Sequence, residues 1–218
     1  MFTKASFCKC LHFLGLVFAL LLTLNLTGVV HAVLQNRKLG GVNATEGNVV
    51  SFKISLNGKY TVFMGDLIDR GRYDLFSVPT TGGKRETLSL GLSPDCSIQQ
   101  FFISPNSETV VYYASESTGE NCGLYAVPIE GGARTELYPR EEGFYLMDIQ
   151  VTGNSENVIF IMKETSVPYG AMIHQVPIGG GDFELLSHVC EGELDYQITP
   201  NSQHVVFRYY STTGSSQL

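Results

Sequence analysis

One short pattern occurs four times along this 218-residue chain, and this repetition restricts the possible folds more than any other feature. In each copy a β-branched or aromatic run leads into a turn that contains Asn, and an apolar triplet follows at a fixed distance. The turn residues Asn57, Asn106, Asn154 and Asn201 are separated by 49, 48 and 47 positions, and the triplets occupy residues 61–63, 110–112, 158–160 and 205–207. A period near 48 made of short strand-like runs indicates one small antiparallel sheet per repeat.

A second pattern follows the first in three of the copies. A strand-like run ends in Val-Pro, and a diglycine comes shortly after it, with Pro79, Pro128 and Pro177 preceding the glycine pairs 82–83, 131–132 and 179–180. Proline is tolerated at a strand end, where its missing N–H costs little, and glycine supplies the positive φ of a tight hairpin. Each complete repeat is therefore expected to contain about four strands.

These repeats predict an all-β chain folded as a β-propeller. Sheets this small cannot bury both of their faces alone, so they must pack on their neighbours, and radial packing gives a propeller. The expectation is three complete four-stranded blades plus a partial fourth, with repeats at about 48–90, 97–138, 146–187 and 193–218. A flat two-sheet sandwich is the competing architecture, but it does not require the repetition.

One position of the first strand in each repeat is polar, and it points to a binding rim. The equivalent residues are Ser51, Gln100, Asp148 and Asp195. Because the first strand of a propeller blade lines the central channel, these side chains are predicted to form a polar rim there. Asp148 and Asp195 could also act as a general acid–base pair, and the simpler interpretation is that they hydrogen-bond loop backbone between blades.

The N-terminal residues 1–32 have the composition of a signal peptide. Lys4 and Lys9 precede an apolar run, and small residues end the segment at Ala32. A secreted or periplasmic mature chain, residues 33–218, is expected; without cleavage the segment would anchor the chain in a membrane. The formal net charge is −7 for the whole chain and −9 after removal of the segment, which disfavours nucleic acid and anionic lipid as partners.

Cys96, Cys122 and Cys190 remain in the mature chain. In propeller topology Cys96 and Cys122 belong to loops at the same end of one blade, so a disulfide between them is possible, and two separate buried thiols are an equal alternative. The cysteines and histidines lack metal-ligand spacing, so neither a metal site nor another cofactor is predicted.

Residues 65–71 read Gly-Asp-Leu-Ile-Asp-Arg-Gly and resemble the GDxxDRG signature of metallophosphatases. Those enzymes require further His-containing motifs to complete a two-metal site, and this chain has no His between Ala32 and His174. The segment is therefore predicted to be a solvated loop between the second and third strands of the first repeat.

The combination of Ile-Ser-Pro-Asn-Ser, Val-Val-Tyr and Leu-Tyr-Ala-Val-Pro-Ile-Glu-Gly-Gly between residues 103 and 132 resembles the WD40-like repeats of TolB-type β-propellers. The resemblance implies an exported propeller that binds peptides or proteins, and it also covers the accessory propellers of prolyl-oligopeptidase-like hydrolases. The resemblance assigns no catalytic residue to this chain. The prediction is thus a non-catalytic binding scaffold, with the accessory domain of a hydrolase as the alternative.

The fourth repeat departs from this pattern because it has only its first two strands. Residues 34–39 could supply the outer strand of that last blade. An open blade edge invites pairing with another chain, so the sequence is expected to be either a piece of a longer propeller, which is favoured, or a chain that self-associates.

Overall fold

A computed structural model describes residue 39 and residues 47–116, 122–139, 143–166, 170–188, 193–210 and 216–217. This part of the chain contains fifteen β-strands and no helix, so none of its segments is a membrane-spanning helix. The expected signal peptide and Cys190 lie outside the described residues.

The strands form four antiparallel sheets, and each sheet contains strands that are consecutive in the chain. Blade 1 contains β1 (Val49–Ile54), β2 (Tyr60–Gly65), β3 (Asp74–Pro79) and β4 (Glu86–Thr87). Blade 2 contains β5 (Cys96–Ile103), β6 (Thr109–Glu116), β7 (Gly123–Pro128) and β8 (Thr135–Pro139). Blade 3 contains β9 (Phe144–Val151), β10 (Asn157–Glu164), β11 (Ala171–Pro177) and β12 (Glu184–Leu185). Blade 4 contains β13 (Leu194–Ile198), β14 (Val205–Tyr210) and β15 (Ser216–Gln217).

Three four-stranded sheets and one smaller sheet confirm the predicted fold class. The fourth sheet differs from the expectation in having a third strand, the two-residue β15, which pairs with the end of β14. The predicted outer strand from residues 34–39 is not seen in its expected place, because Leu39 packs against blade 1. The other residues of that segment lie outside the described part of the chain.

The core consists of layers between successive blades. We call the side of a blade that packs on the preceding blade its leading face, and the opposite side its trailing face. The trailing face of blade 1, with Val62 and Leu75, packs against the leading face of blade 2, with Phe101 and Tyr112. The same arrangement recurs between blades 2 and 3 and between blades 3 and 4. Because successive side chains of a strand point to opposite faces of its sheet, each strand contributes side chains to the core layers on both sides of its blade.

A hydrogen bond recurs at each of these interfaces and links the β-turns of neighbouring blades. The backbone N–H of the turn Asn in one blade donates to the hydroxyl of a Ser in the next blade. These Asn–Ser bonds join Asn57 to Ser107 at 3.1 Å, Asn106 to Ser155 at 2.9 Å and Asn154 to Ser202 at 3.1 Å. Each of the three Ser residues has a positive φ, between 59° and 65°, and the equivalent residue of blade 1 is Gly58, at φ 70°.

Blade 2 also contains a covalent cross-link. Cys96 at the start of β5 and Cys122, which precedes β7, form a disulfide with a Cα–Cα distance of 5.8 Å. Both cysteines are buried in the layer between blades 1 and 2. The bond therefore ties the inner strand of blade 2 to its third strand.

Candidate functional site

The four residues predicted to form a polar rim all lie on the first strand of their blades. Gln100, Asp148 and Asp195 are exposed, and Ser51 is half-buried. In the described part of the chain no hydrogen bond or ion pair joins one of the four to another. Each lies on the inner strand of a different blade, and Asp195 lines a cavity between blades 3 and 4.

The inner strands of blades 1, 2 and 3 each contain a β-bulge next to these residues. The register shifts between Val49 and Ser51 in blade 1, between Ile98 and Gln100 in blade 2, and around Asp148 in blade 3. Asp148 has a φ of 47°. A bulge bends its strand and re-aims the neighbouring side chains, and bulges are common beside functional sites. The repeat period alone could not reveal these bulges, because the extra residue lies within the strand and leaves the spacing between repeats nearly unchanged.

The cavity at Asp195 lies between blades 3 and 4 and has a volume of about 340 Å³. Its floor is apolar and combines Met147, Ile161 and Ala171 of blade 3 with Leu194 of blade 4. Ile161 and Ala171 are buried, so this floor is continuous with the core layer beneath it. The volume lies at the small end of the range for ligand pockets, roughly 300–1,000 Å³.

Four charged residues also line the cavity, two basic and two acidic, namely Lys163, Arg208, Glu193 and Asp195. Asp195 of β13 and Arg208 of β14 are directly opposite each other, and their side chains form an ion pair at 2.5 Å. Both side chains remain about half exposed, at 58% and 45%, so water screens the pair and it adds little to stability. A screened pair can exchange its partner for the charged groups of a ligand.

Tyr196 fixes the two blades beneath this cavity. Its single O–H proton is shared between the carbonyl oxygen of Asp148 and that of Ile159, the latter 2.9 Å from the hydroxyl oxygen. Burial, together with the nearby Asp148 carboxylate, raises the pKa of Tyr196 well above its ordinary value of 10.0. The phenol therefore stays protonated and continues to donate, which holds the inner strands of blades 3 and 4 in a fixed relation.

A second cavity, of about 320 Å³, lies between the inner strands of blades 1 and 2 and is mainly apolar. Lys53 lines it, with its ammonium group 5.1 Å from the ring centroid of Phe101 and 4.6 Å from that of Phe102. The same group donates to the Phe101 carbonyl oxygen at 2.8 Å, and burial lowers the pKa of Lys53. Because these contacts already satisfy Lys53, we interpret it as a link between blades 1 and 2.

The segment that resembles a metallophosphatase signature has a structural role. The Asp66 carboxylate accepts the N–H of Asn48 at 2.5 Å and that of Gly71 at 3.3 Å, and these bonds lower its pKa. Asp66 is buried, whereas Ile68 and Asp69 are exposed. The expectation of a solvated loop was therefore only partly correct. Across the described residues no group of three or more His, Cys, Asp or Glu side chains could hold a metal ion.

Sequence reasoning missed Lys163, Glu193 and Arg208. It compared equivalent positions of the first strands, whereas Lys163 and Arg208 lie on second strands and Glu193 precedes β13. The available signal was the charge of Arg208, because cross-strand neighbours of opposite charge attract each other. Using this signal requires the β13–β14 register, which the repeat does not give directly.

No family model and no curated protein matches the chain. Solved structures do match. A prolyl endopeptidase is similar over 75% of this chain and 26% of its own, with 11% identity and a TM-score of 0.57. TolB from Acinetobacter baumannii is similar over 66% of this chain and 37% of its own, with 15% identity and a TM-score of 0.45. The β-propeller domain of the Trilobed protease from Pyrococcus furiosus is similar over 76% and 56%, with 13% identity and a TM-score of 0.49.

Identities this low bear on the fold alone. The β-propeller architecture is read from the sheets and the core layers between them. The chain spans about a quarter of the length of the prolyl endopeptidase that it matches.

Proposed function

We propose that this chain is an exported β-propeller that binds a peptide or protein segment in the cavity between blades 3 and 4 and catalyses no reaction. The observation that supports this proposal most directly is the Asp195–Arg208 ion pair at a cavity with an apolar floor. Charges of both signs suit the mixed charges of a peptide, and the floor suits an apolar side chain.

The contacts of the candidate acidic side chains favour binding over catalysis. The two carboxylates of the phosphatase-like segment already have structural partners, since Asp66 accepts two backbone N–H groups and Asp69 forms an ion pair with Arg72 at 3.2 Å. Asp148 and Asp195 lie on different blades with no bond between them. A general acid and a general base must both face one bound substrate, and Asp148 is not among the residues that line the cavity at Asp195.

The binding proposal is tested with a random heptapeptide library displayed on phage. Peptides enriched on the wild-type chain are synthesised with a fluorophore, and their affinities are measured by fluorescence anisotropy. We expect the double variant Asp195→Ala/Arg208→Ala to bind them at least about tenfold more weakly, because two charged contacts of about 1 kcal/mol each are lost.

The matched control removes a different exposed ion pair, Lys84 with Glu86, whose side chains lie 2.8 Å apart on blade 1. The double variant Lys84→Ala/Glu86→Ala should bind the peptides as the wild type does. Failure to enrich any peptide, or equal loss in both double variants, would contradict the proposed site.

Export is tested by expressing the chain from its first residue and determining the N-terminal sequence of the purified product. Cleavage after Ala32, leaving Val33 as the first residue, is the expected result. A product that retains residues 1–32 and stays with the membrane fraction would contradict secretion.

The similarity to a prolyl endopeptidase favours one alternative function: the chain is the accessory propeller of a hydrolase. Reading the coding sequence beyond the codon for Leu218 tests this alternative. A downstream Gly-x-Ser-x-Gly segment between a strand and a helix would favour the hydrolase, because that turn presents a nucleophilic serine.

A further inference from the structure

Blade 1 exposes an apolar surface that its three successors bury. Phe101, Ile149 and Tyr196 occupy one equivalent position of the inner strand, pack on the preceding blade and are 3%, 2% and 6% exposed. The residue at this position in blade 1 is Phe52, which is 66% exposed. Ile54, two residues later, is 59% exposed. The inner part of this leading face thus contacts no blade in the described structure.

The outer part of the same face is already covered. Phe63 and Phe76 are buried in a cluster that includes Leu39. A partner would therefore contact the inner strand β1 and leave the cluster around Leu39 in place.

Blade 4 exposes an apolar side chain on its trailing face. Val62, Val111 and Ile159 occupy the equivalent position in blades 1, 2 and 3, face the following blade and are at most 1% exposed. Val206 is the fourth member of this set and is 46% exposed. The described part of the chain thus has one exposed leading surface and one exposed trailing surface.

The two exposed positions are partners at every internal interface. Val62 and Phe101 belong to one core layer, Val111 and Ile149 to the next, and Ile159 and Tyr196 to the third. At the third interface the contact is direct, because the Tyr196 hydroxyl donates to the Ile159 carbonyl oxygen at 2.9 Å. Val206 therefore occupies the position that packs on the leading face of a following blade, and Asp195, Gln197 and Arg208 lie beside it on the same face of blade 4.

We propose that two copies of this chain associate head to tail, with the trailing face of blade 4 of each copy packed on β1 of the other. A two-fold axis relates the copies and generates two identical joints. The assembly then contains eight sheets around one axis, which is within the range of about four to eight blades seen in closed propellers.

Gly58 offers a substitution that should strengthen the proposed dimer. It occupies the position at which Ser107, Ser155 and Ser202 accept an Asn N–H from the preceding blade, and its φ of 70° is close to theirs. A Cβ atom at Gly58 would meet nothing within 4 Å. In the proposed joint the N–H of Asn201 faces Gly58, so Gly58→Ser would supply the hydroxyl acceptor that the internal joints have.

The test measures the molar mass of the purified chain, expressed from its first residue, by size-exclusion chromatography with light scattering over a range of concentrations. A dimer is expected, and Phe52→Glu and Val206→Glu should each shift it to monomer. Leu90→Glu is the matched control, because Leu90 is 79% exposed and lies on neither face. Gly58→Ser should tighten the dimer about ten- to a hundredfold, because each of the two joints gains one hydrogen bond.

A cross-linking experiment identifies the pair of faces. Under oxidising conditions, mixing Phe52→Cys copies with Val206→Cys copies should give a linked dimer that neither variant forms alone. A chain that is monomeric at all concentrations would overturn the proposal. So would a dimer disrupted by Phe52→Glu but not by Val206→Glu, which indicates pairing of two blade 1 surfaces, or open polymers larger than a dimer.

Discussion

Two substitutions of Ser155 separate the two energetic contributions of the Asn–Ser bond. The Ser155 hydroxyl accepts the Asn106 N–H at 2.9 Å, while the Ser155 backbone has a φ of 62°. Ala removes the hydroxyl and keeps the unfavourable backbone conformation. Gly removes the hydroxyl and also relieves the backbone strain.

The expected magnitudes follow from this geometry. One such hydrogen bond contributes about 0.5–1.5 kcal/mol, and because Asn106 is exposed, water can take over the N–H when the hydroxyl is lost. We therefore expect Ser155→Ala to lower the free energy of unfolding by about 1 kcal/mol. A left-handed non-glycine residue costs about 1–2 kcal/mol, so Ser155→Gly should recover the loss and be within about 0.5 kcal/mol of the wild type.

The assay is urea unfolding monitored by far-ultraviolet circular dichroism, since the chain has no Trp for fluorescence. Gly58→Ala is the control for strain alone, because Gly58 has a φ of 70° and accepts no Asn N–H in the described structure; it should lose about 1 kcal/mol. Wild-type stability in Ser155→Ala would refute a contribution from the Asn–Ser bond. Equal losses in Ser155→Ala and Ser155→Gly would refute the strain argument.

Three further outcomes are expected. Removing the disulfide by Cys96→Ala/Cys122→Ala, which opens a 26-residue loop, should lower the free energy of unfolding by about 3 kcal/mol, and a melting temperature unaffected by both this change and a reductant would contradict it. Tyr196→Phe should cost about 1–2 kcal/mol at neutral pH in chemical denaturation. Because the folded-state pKa of Tyr196 is raised, its stabilisation is present below about pH 10 and is lost as the pH rises further, so only the wild type should lose that stability in an alkaline titration. The folded-state pKa of Asp66 is lowered, so its stabilisation is present above about pH 4 and is lost as the pH falls; Asp66→Asn should flatten the acid limb of a stability profile, and an unchanged limb would count against the Asn48 and Gly71 bonds.

The features that the sequence predicted well are local ones. Strand alternation and turn chemistry act over a few residues, so the blades and their hairpins could be read from the repeated Asn and Pro-Gly-Gly patterns. The Ser of each turn motif was also visible, but its role was not. Ser155 accepts from Asn106, a residue 49 positions away, and that contact exists only once two blades have packed.

The candidate site was less predictable because it depends on differences between copies. Phe52 and Tyr196 occupy equivalent positions, yet one is exposed and the other is buried, and the repeat pattern alone treats them alike. Likewise, Asp195 has a cross-strand Arg208 partner, whereas Gln100 lies opposite Tyr113. Which copy carries the candidate site is therefore decided by neighbours in space.

The disulfide within blade 2 gives the chain a distinctive response to mechanical force. A chain pulled from both ends would release its sheets one after another, since each sheet contacts only those beside it. A repeat of about 48 residues lengthens by roughly 160 Å when fully extended at about 3.3–3.6 Å per residue. The Cys96–Cys122 bond withholds 26 residues, so the step from blade 2 would be about 90 Å shorter than the others until a reductant is added.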